Sequence, residues 1–374
     1  MSALVGRKLL VVASLTPTST ANYLVHAFRQ LGCEIRVCSD VASDLADVCA
    51  AGAVHVSRVI AQVGFEPDYV VFVEGGSMRL LPVGLECVEC LTAWYGIDTH
   101  MDYAKHLRIG RLFDVTFLAQ KEYVERMRAD GIRQVHWLPL GFAEELLPSP
   151  MPERTIDIAY VGSEQVAANP LRHALLEALR REFSSTRFGA ASPNEMGRIY
   201  AGAKLVFNKS VNNDVNMRFF EAAGAGAVLV TDRISNNGVE ELFEEGKHYV
   251  SYQDHDSLIQ VMRGLLADPQ RCAAISKSAH HHVLEHHTYR HRAQSLLAVA
   301  GRCEKLSPPC PEDYFAACLS LNLLSDALRM AAKAITVSTG SSYRKYVGTL
   351  LVLLLNWTAH VLGFVERMRF RRAA

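Results

Sequence analysis

Short, uninterrupted apolar runs alternate with amphipathic segments along most of this chain. Lys8–Ser14, Glu34–Cys38, Tyr69–Val73, Leu91–Tyr95, Val115–Leu118 and Gln134–Trp137 read as strands. Helical spacing over Thr20–Leu31, Asp102–Gly110 and Gln120–Asp130 fills intervals between them. A strand covered on both faces needs no polar alternation, so this rhythm predicts a doubly wound parallel sheet. Leu147–Arg154, LPSPMPER, breaks the rhythm and reads as a linker. A second series starts with a strand at Ile156–Val161 that closes on Gly162-Ser163. It continues with a helix from Asn169-Pro170 to about Glu182, a short strand at Arg187-Phe188 and a helix over Pro193–Ala201. Later come a helix at Val239–Phe243, a strand at His248–Tyr252 and helices from Asp256 to about Leu297. The pattern predicts two α/β domains, 1–147 and 155–300, facing one another across a cleft, with a helical tail over 301–374.

The second series turns on Asn208–Asp232. Lys204–Phe207 and Ala227–Val230 are strand-like, and the helix between them is expected over about Asn216–Ala223, capped by Asp214 or Asn216. Gly224 and Gly226 end it. Met217, Phe220 and Gly224 follow the apolar spacing, while Asp214, Arg218 and Glu221 fall on another face. A polar line on a helix wedged between buried strands is either a solvated ion pair or a helix N-terminus aimed at an anion at the carboxyl edge of the sheet.

Composition adds limits. The 374 residues are 49% hydrophobic and 21% charged, as in a globular protein of about two domains. A formal net charge of zero argues against a broad grip on nucleic acid. Nine cysteines without a regular frame fit reduced thiols in a cytoplasmic protein. Cys87 and Cys90 form a Cys-x-x-Cys without the second pair of a structural zinc site, and read as buried thiols. The apolar N-terminal run is more simply a first strand than a signal peptide. The loop after it, TPTSTAN, carries no glycine fingerprint for a dinucleotide. Asp254-His255-Asp256 has the spacing of a metal-binding Asp-x-Asp, but its place before SLIQVMRGLL suits a helix cap. The histidines at 280, 281, 282, 286, 287 and 291 read as a solvated helix face with one or two packed rings.

NNDVNMRFFEAAGAGAVLVTD, ELFEEGKHYVSYQDHDSLIQVMRGLLADP and HTYRHRA resemble the C-terminal domain of CgeB-like (spore-maturation-protein-B-like) glycosyltransferases. WYGIDTH and FDVTFLAQKEYVERMRADGIRQVHWLPLG are similar to that family's N-terminal domain. The resemblance runs from about Pro67 to Leu297 and implies the GT-B fold, α/β with two facing Rossmann-like domains and a nucleotide-sugar held mainly by the second. Glu221 matches the carboxylate that related retaining enzymes place on the donor ribose. Their partner glutamate, eight residues earlier, is Asn213 here with Asp214 beside it, which leaves retention or inversion open.

Sugar transfer from a nucleotide diphosphate needs stabilisation of the departing diphosphate. Lys209, Arg218 and the helix N-terminus at Asn216 supply it in this reading, with Gly162 lining the donor side and no metal or other cofactor expected. Asp98 and His100, after a first-domain strand, are each placed to take the acceptor's proton, with Asp98 as a helix cap the plainer alternative. Glu74-Gly75-Gly76 is read as lining the acceptor side. The acceptor is a glycan, a lipid-linked molecule or a protein. A nucleotide-sugar epimerase and a non-catalytic binding component of a surface-assembly complex are the alternatives.

In the tail, Glu312–Val337 reads as an amphipathic helix. Tyr346–Val365 is free of formal charge between Arg344-Lys345 and the arginines at 367, 369, 371 and 372. Twenty such residues suffice to cross about 30 Å of hydrocarbon, although Asn356 and His360 weaken insertion. Membrane contact through 346–372, tethering a cytoplasmic enzyme to the inner membrane face, and a buried helix packed on the first domain are both compatible with it.

Overall fold

The computed structural model describes residues 5–75, 78–167 and 169–323. The sequence reading of 346–372 and the distal part of Glu312–Val337 lie outside them.

In the first domain the strands are β1 (Lys8–Ala13), β2 (Glu34–Ser39), β3 (Val48–Cys49), β4 (Gly52–His55), β5 (Tyr69–Val73), β6 (Leu80–Val83), β7 (Leu91–Gly96), β8 (Val115–Leu118) and β9 (Val135–Trp137). Helices α1 (Thr20–Gln30), α2 (Val56–Val63), α3 (Tyr103–Gly110) and α4 (Glu122–Ala129) connect them. The main sheet is parallel, in the order β3-β2-β1-β5-β7-β8-β9, and β4 and β6 pair separately as a two-stranded ribbon. The second domain comprises β10 (Ile156–Val161), α5 (Pro170–Glu182), β11 (Thr186–Gly189), α6 (Pro193–Ala201), β12 (Ala203–Phe207), α7 (Met217–Gly224), β13 (Val228–Asp232), α8 (Val239–Leu242), β14 (Tyr249–Tyr252), α9 (His255–Ala267) and α10 (Pro269–His286). Its sheet is also parallel, in the order β11-β10-β12-β13-β14. The central strands bury nearly every side chain on both faces, as in LLVVA of β1 and VVFV of β5, which is why they read as continuous apolar runs.

The chain then returns to the first domain. α11 (Tyr289–Ala300) packs along α1, with Tyr23 and Tyr289 stacked at 5.2 Å. At the crossover, Phe142 N donates to His287 O at 2.8 Å and Tyr289 N to Phe142 O at 2.9 Å. The guanidinium of Arg292, buried, donates to Leu140 O and to His287 Nδ1, each at 2.8 Å. Accepting that bond leaves His287 a neutral ring whose Nε2 faces Leu242 O at 3.1 Å, and burial pushes its pKa down to about 3. Gly224 lies against the ring of Phe142, where a Cβ would stand 2.4 Å from the ring carbon. Gly226, at φ +75°, makes the left-handed turn into β13.

α12 (Pro311–Ser320) docks on the first domain, burying Tyr314, Phe315 and Cys318 in its core. The tail through residue 323 is therefore part of that domain's packing. None of the described helices is long and apolar enough to cross a membrane.

Other expectations divide. Asp254 caps α9, accepting from Ser257 N at 2.8 Å. The histidine run is more packed than a solvated face: His280 faces Gly224 O at 2.7 Å, His282 faces Leu242 O at 2.7 Å, and His287 is buried. Cys87 is exposed, not buried, because the turn that carries it reverses at the surface of the β4–β6 ribbon.

Candidate functional site

In open parallel sheets, ligands gather outside the carboxyl ends of the strands where the strand order reverses. In the second domain that point lies between β10 and β12, and in the first between β1 and β5. A cavity of about 750 Å³ lies there. It is lined by Thr18 and Tyr23 of the first domain and by Gly162, Met196, Met217 and Glu221 of the second. A cavity of about 770 Å³ opens elsewhere, among Glu240, Lys247, His248 and His282 at the amino end of β14. It is lined by one domain only and touches no strand end at a point of reversal.

Helix α7 organises the second domain's side of the cleft. Asn216 caps it, accepting from Arg218 N at 3.1 Å, and donates to Asn208 Oδ1 at 3.1 Å. Arg218 then reaches back across the sheet end: Nη1 to Asn208 Oδ1 at 2.6 Å, Nε to Tyr200 Oη at 3.1 Å and Nη2 to Val161 O at 2.8 Å. Its guanidinium stands 4.6 Å from the Tyr160 ring centroid. Arg218 therefore fixes the Val161–Gly162 corner of the cavity from behind, and brings a positive charge to it. Gly162 is held at φ +154°, and a Cβ there would stand 2.7 Å from the Tyr160 hydroxyl.

Glu221 faces the cavity five residues beyond the cap, about 7.5 Å along the helix at about 1.5 Å per residue. Among the described residues nothing hydrogen-bonds its carboxylate. Burial pushes its pKa up to about 7, only partly offset by Arg218.

Lys209 pairs with Asp232 at 2.7 Å, and that carboxylate also accepts from Ser210 N at 2.7 Å and Ser210 Oγ at 2.6 Å. Asn213 sits at φ +64°, accepts from Ser235 N at 3.0 Å, and gives its carbonyl to Asn237 Nδ2 at 2.8 Å. Both residues shape the loop at the head of α7, and neither lines the cavity.

The first domain contributes a second cluster. Glu74, at the end of β5, is 4% exposed and accepts from Ile97 N at 2.5 Å and Asp98 N at 3.1 Å. His106 Nε2 stands 3.3 Å from its other oxygen. Desolvation opposes its charge, but His106 and the two amides outweigh it and hold its pKa low. Glu74 thus fixes the Ile97–Asp98 loop from beneath, where the sequence reading had it lining the acceptor side. Asp98 does not cap the next helix; Asp102 does, accepting from Lys105 N at 3.1 Å.

Gln120 joins this loop to the second domain. Its Nε2 donates to Ile97 O and, at 3.0 Å, to Asp214 Oδ1, while Oε1 accepts from Thr99 N at 3.3 Å. Asn212 Nδ2 donates to His100 O at 3.2 Å. Asp98, His100 and Asp214 are thereby brought together across the cleft. Desolvation raises Asp214 to about 6, with His100 opposing the rise and Asp98 adding to it. Desolvation and Glu74 raise Asp98, again opposed by His100. His100 Nδ1 is buried with no hydrogen-bond partner among the described residues.

The sequence reading missed Gln120, Asn208 and Tyr200. Their side chains act through partners remote in sequence, and nothing in the local pattern around them marks that.

The family model described as glycosyl transferase-like matches residues 154–298, the second domain and its crossover helices. No curated protein matches the chain. Among solved structures, HepE of Anabaena in complex with UDP and glucose is similar over 79% of this chain and 100% of its own, with a TM-score of 0.56 and 14% identity. Sucrose-phosphate synthase of Thermosynechococcus elongatus is similar over 79% and 99%, with a TM-score of 0.55 and 11% identity. An alpha-glucosyltransferase in complex with UDP-glucose and DNA containing an abasic site gives 79% and 99%, 0.54 and 10%. The fold is GT-B.

Proposed function

We propose that the chain is a glycosyltransferase that takes a sugar from a nucleotide diphosphate in the cavity between its two domains. The observation that carries this is Glu221, a half-buried carboxylate without a hydrogen-bond partner among the described residues, facing that cavity one helical stretch from a capped N-terminus. A nucleotide laid along α7 would give its ribose hydroxyls to Glu221 and its diphosphate to the helix N-terminus, with the sugar beyond, toward Asp214. Similar solved proteins hold UDP or UDP-glucose, which supports a nucleotide-sugar as donor. The resemblance of both halves to CgeB-like enzymes supports that narrower family.

Arg218 and the α7 N-terminus would offset the departing charge, with Lys209 able to contribute only by exchanging Asp232 for the diphosphate. His100, its Nδ1 uncommitted, would accept the acceptor's proton, and the carboxyls of Asp98 and Asp214 would stabilise the imidazolium that forms. Turnover of a panel of uridine, guanosine and thymidine diphosphate sugars, with and without glycan, lipid-linked and protein acceptors, tests the assignment. Donor converted to its epimer without any acceptor would favour the epimerase. Donors bound but never turned over would favour a binding component.

Transfer is expected to survive chelation. Asp254, the candidate for an Asp-x-Asp metal site, is committed to capping α9, and the leaving charge has Arg218 and the helix terminus. Loss of turnover in EDTA, restored by magnesium or manganese, contradicts this.

The pH dependence of donor binding follows from Glu221. Ribose hydroxyls favour its ionised form, so binding below about pH 7 releases a proton. Affinity should rise with pH up to about 7, by at most about tenfold per unit, and then level off. Calorimetry at pH 6 in two buffers of different ionisation enthalpy should show proton release by the wild type that Glu221→Gln lacks. Equal release by both would remove Glu221 from the ribose site.

A further inference from the structure

The β4–β6 ribbon carries three potential metal ligands outside the cleft. His55 ends β4, and its register partner in β6 is Val83. Gly84, at φ +75°, turns the chain into the short turn Leu85–Cys87, which brings Glu86 and Cys87 back over the histidine. One nitrogen of His55, a carboxylate oxygen of Glu86 and the sulfur of Cys87 all lie within 4.8 Å of one another. The His55 ring covers Gly84 so closely that a Cβ there would stand 2.4 Å from it.

Two of the three ligands are already steered. Ser57 Oγ lies 2.7 Å from His55 Nδ1 and holds the ring in place. Tyr314 Oη, on α12, donates to Glu86 Oε2 at 2.9 Å and accepts from Leu85 N at 2.8 Å. Outer partners of this kind orient metal ligands and tune their basicity.

We propose that His55, Glu86 and Cys87 bind a divalent transition metal of the zinc class, with its remaining position open to water. Tetrahedral zinc, with bonds of about 2.0–2.3 Å, holds its ligand atoms about 3.5 Å apart, so the set closes by rotation of side chains, two of them exposed. A thiolate with an imidazole selects zinc or cobalt over magnesium and calcium. Binding would release the Cys87 proton to solvent, and would tie Glu86, and through Tyr314 the helix α12, to the ribbon.

The full-length protein, reduced and freed of metal by chelator, is titrated with Co²⁺ alone. The expected result is a thiolate-to-cobalt charge-transfer band that saturates near one equivalent, is removed by Zn²⁺ and is untouched by Mg²⁺. Cys87→Ser, at an exposed position, should abolish the band, and Cys90→Ser should retain it. His55→Gln should weaken Co²⁺ binding at least about tenfold in a variant whose circular dichroism is unchanged. Absence of the band from the wild type, or a band that follows Cys90 and persists without Cys87, overturns the proposal.

Discussion

His100→Ala is expected to lower kcat by about 10²–10⁴-fold, the span usual for loss of a positioned general base. The ring stands where the loop after β7 meets the loop before α7, its carbonyl held by Asn212 and its Nδ1 without a partner. Two raised carboxyls, Asp98 and Asp214, stand close enough to respond to its charge. Because these groups lie beyond the cap of α7 and not beside Glu221, nucleotide affinity should be unchanged. Asp98→Asn should lower kcat less, since Asp98 acts through His100. Steady-state kinetics with the best donor and acceptor, alongside nucleotide binding, separates the effects. A kcat within about threefold of wild type in His100→Ala would show that the acceptor's proton leaves by another route.

Arg218→Ala should be the most damaging single change in the second domain. It removes the charge nearest the Val161–Gly162 corner and leaves Asn208 Oδ1, Tyr200 Oη and Val161 O each short of a donor. Loss of a preorganised partner for developing charge costs about 10²-fold or more in kcat. Asn208 Oδ1 keeps Asn216 Nδ2 and Tyr200 Oη keeps Val161 N, so the loss is of hydrogen bonds worth about 0.5–1.5 kcal/mol each, and the melting temperature should fall as well. Arg218→Lys separates the contributions. A lysine retains the charge but presents a single nitrogen to three acceptors, so it should recover part of the rate and little of the stability. Single-turnover measurement on folded protein is the readout. A folded Arg218→Ala that transfers at the wild-type rate would confine Arg218 to a structural role.

How much of this was legible in the sequence follows from how local each determinant is. The α7 unit could be read because its cap, its apolar spacing and Gly226 lie within a few residues of one another. The ribbon escaped notice for equally local reasons. α2, VSRVIAQV, is rich in β-branched residues that helices do not favour, and β6 contains Pro82, which argues against a strand. Gly224 was read as a terminator, yet its smallness serves the Phe142 ring at the crossover, a contact no periodicity reports. Lys209 was read as a cation for the departing diphosphate, but folding brings Asp232, at the end of the next strand, to 2.7 Å from it. Glu74 shows the same limit: its position after a strand was visible, and its burial beneath Asp98 was not.

The most direct test of a nucleotide-sugar site at α7 is calorimetric titration of nucleoside diphosphates into the wild type and into Glu221→Gln. The substitution keeps the shape and removes one charged acceptor, worth about 1.5–3 kcal/mol in a hydrogen bond, or about 10–150-fold in affinity. The expected result is saturable binding of one nucleotide family by the wild type, weakened by that factor in a variant with an unchanged melting profile. Binding of equal strength by both proteins, or by neither across the panel, would contradict it.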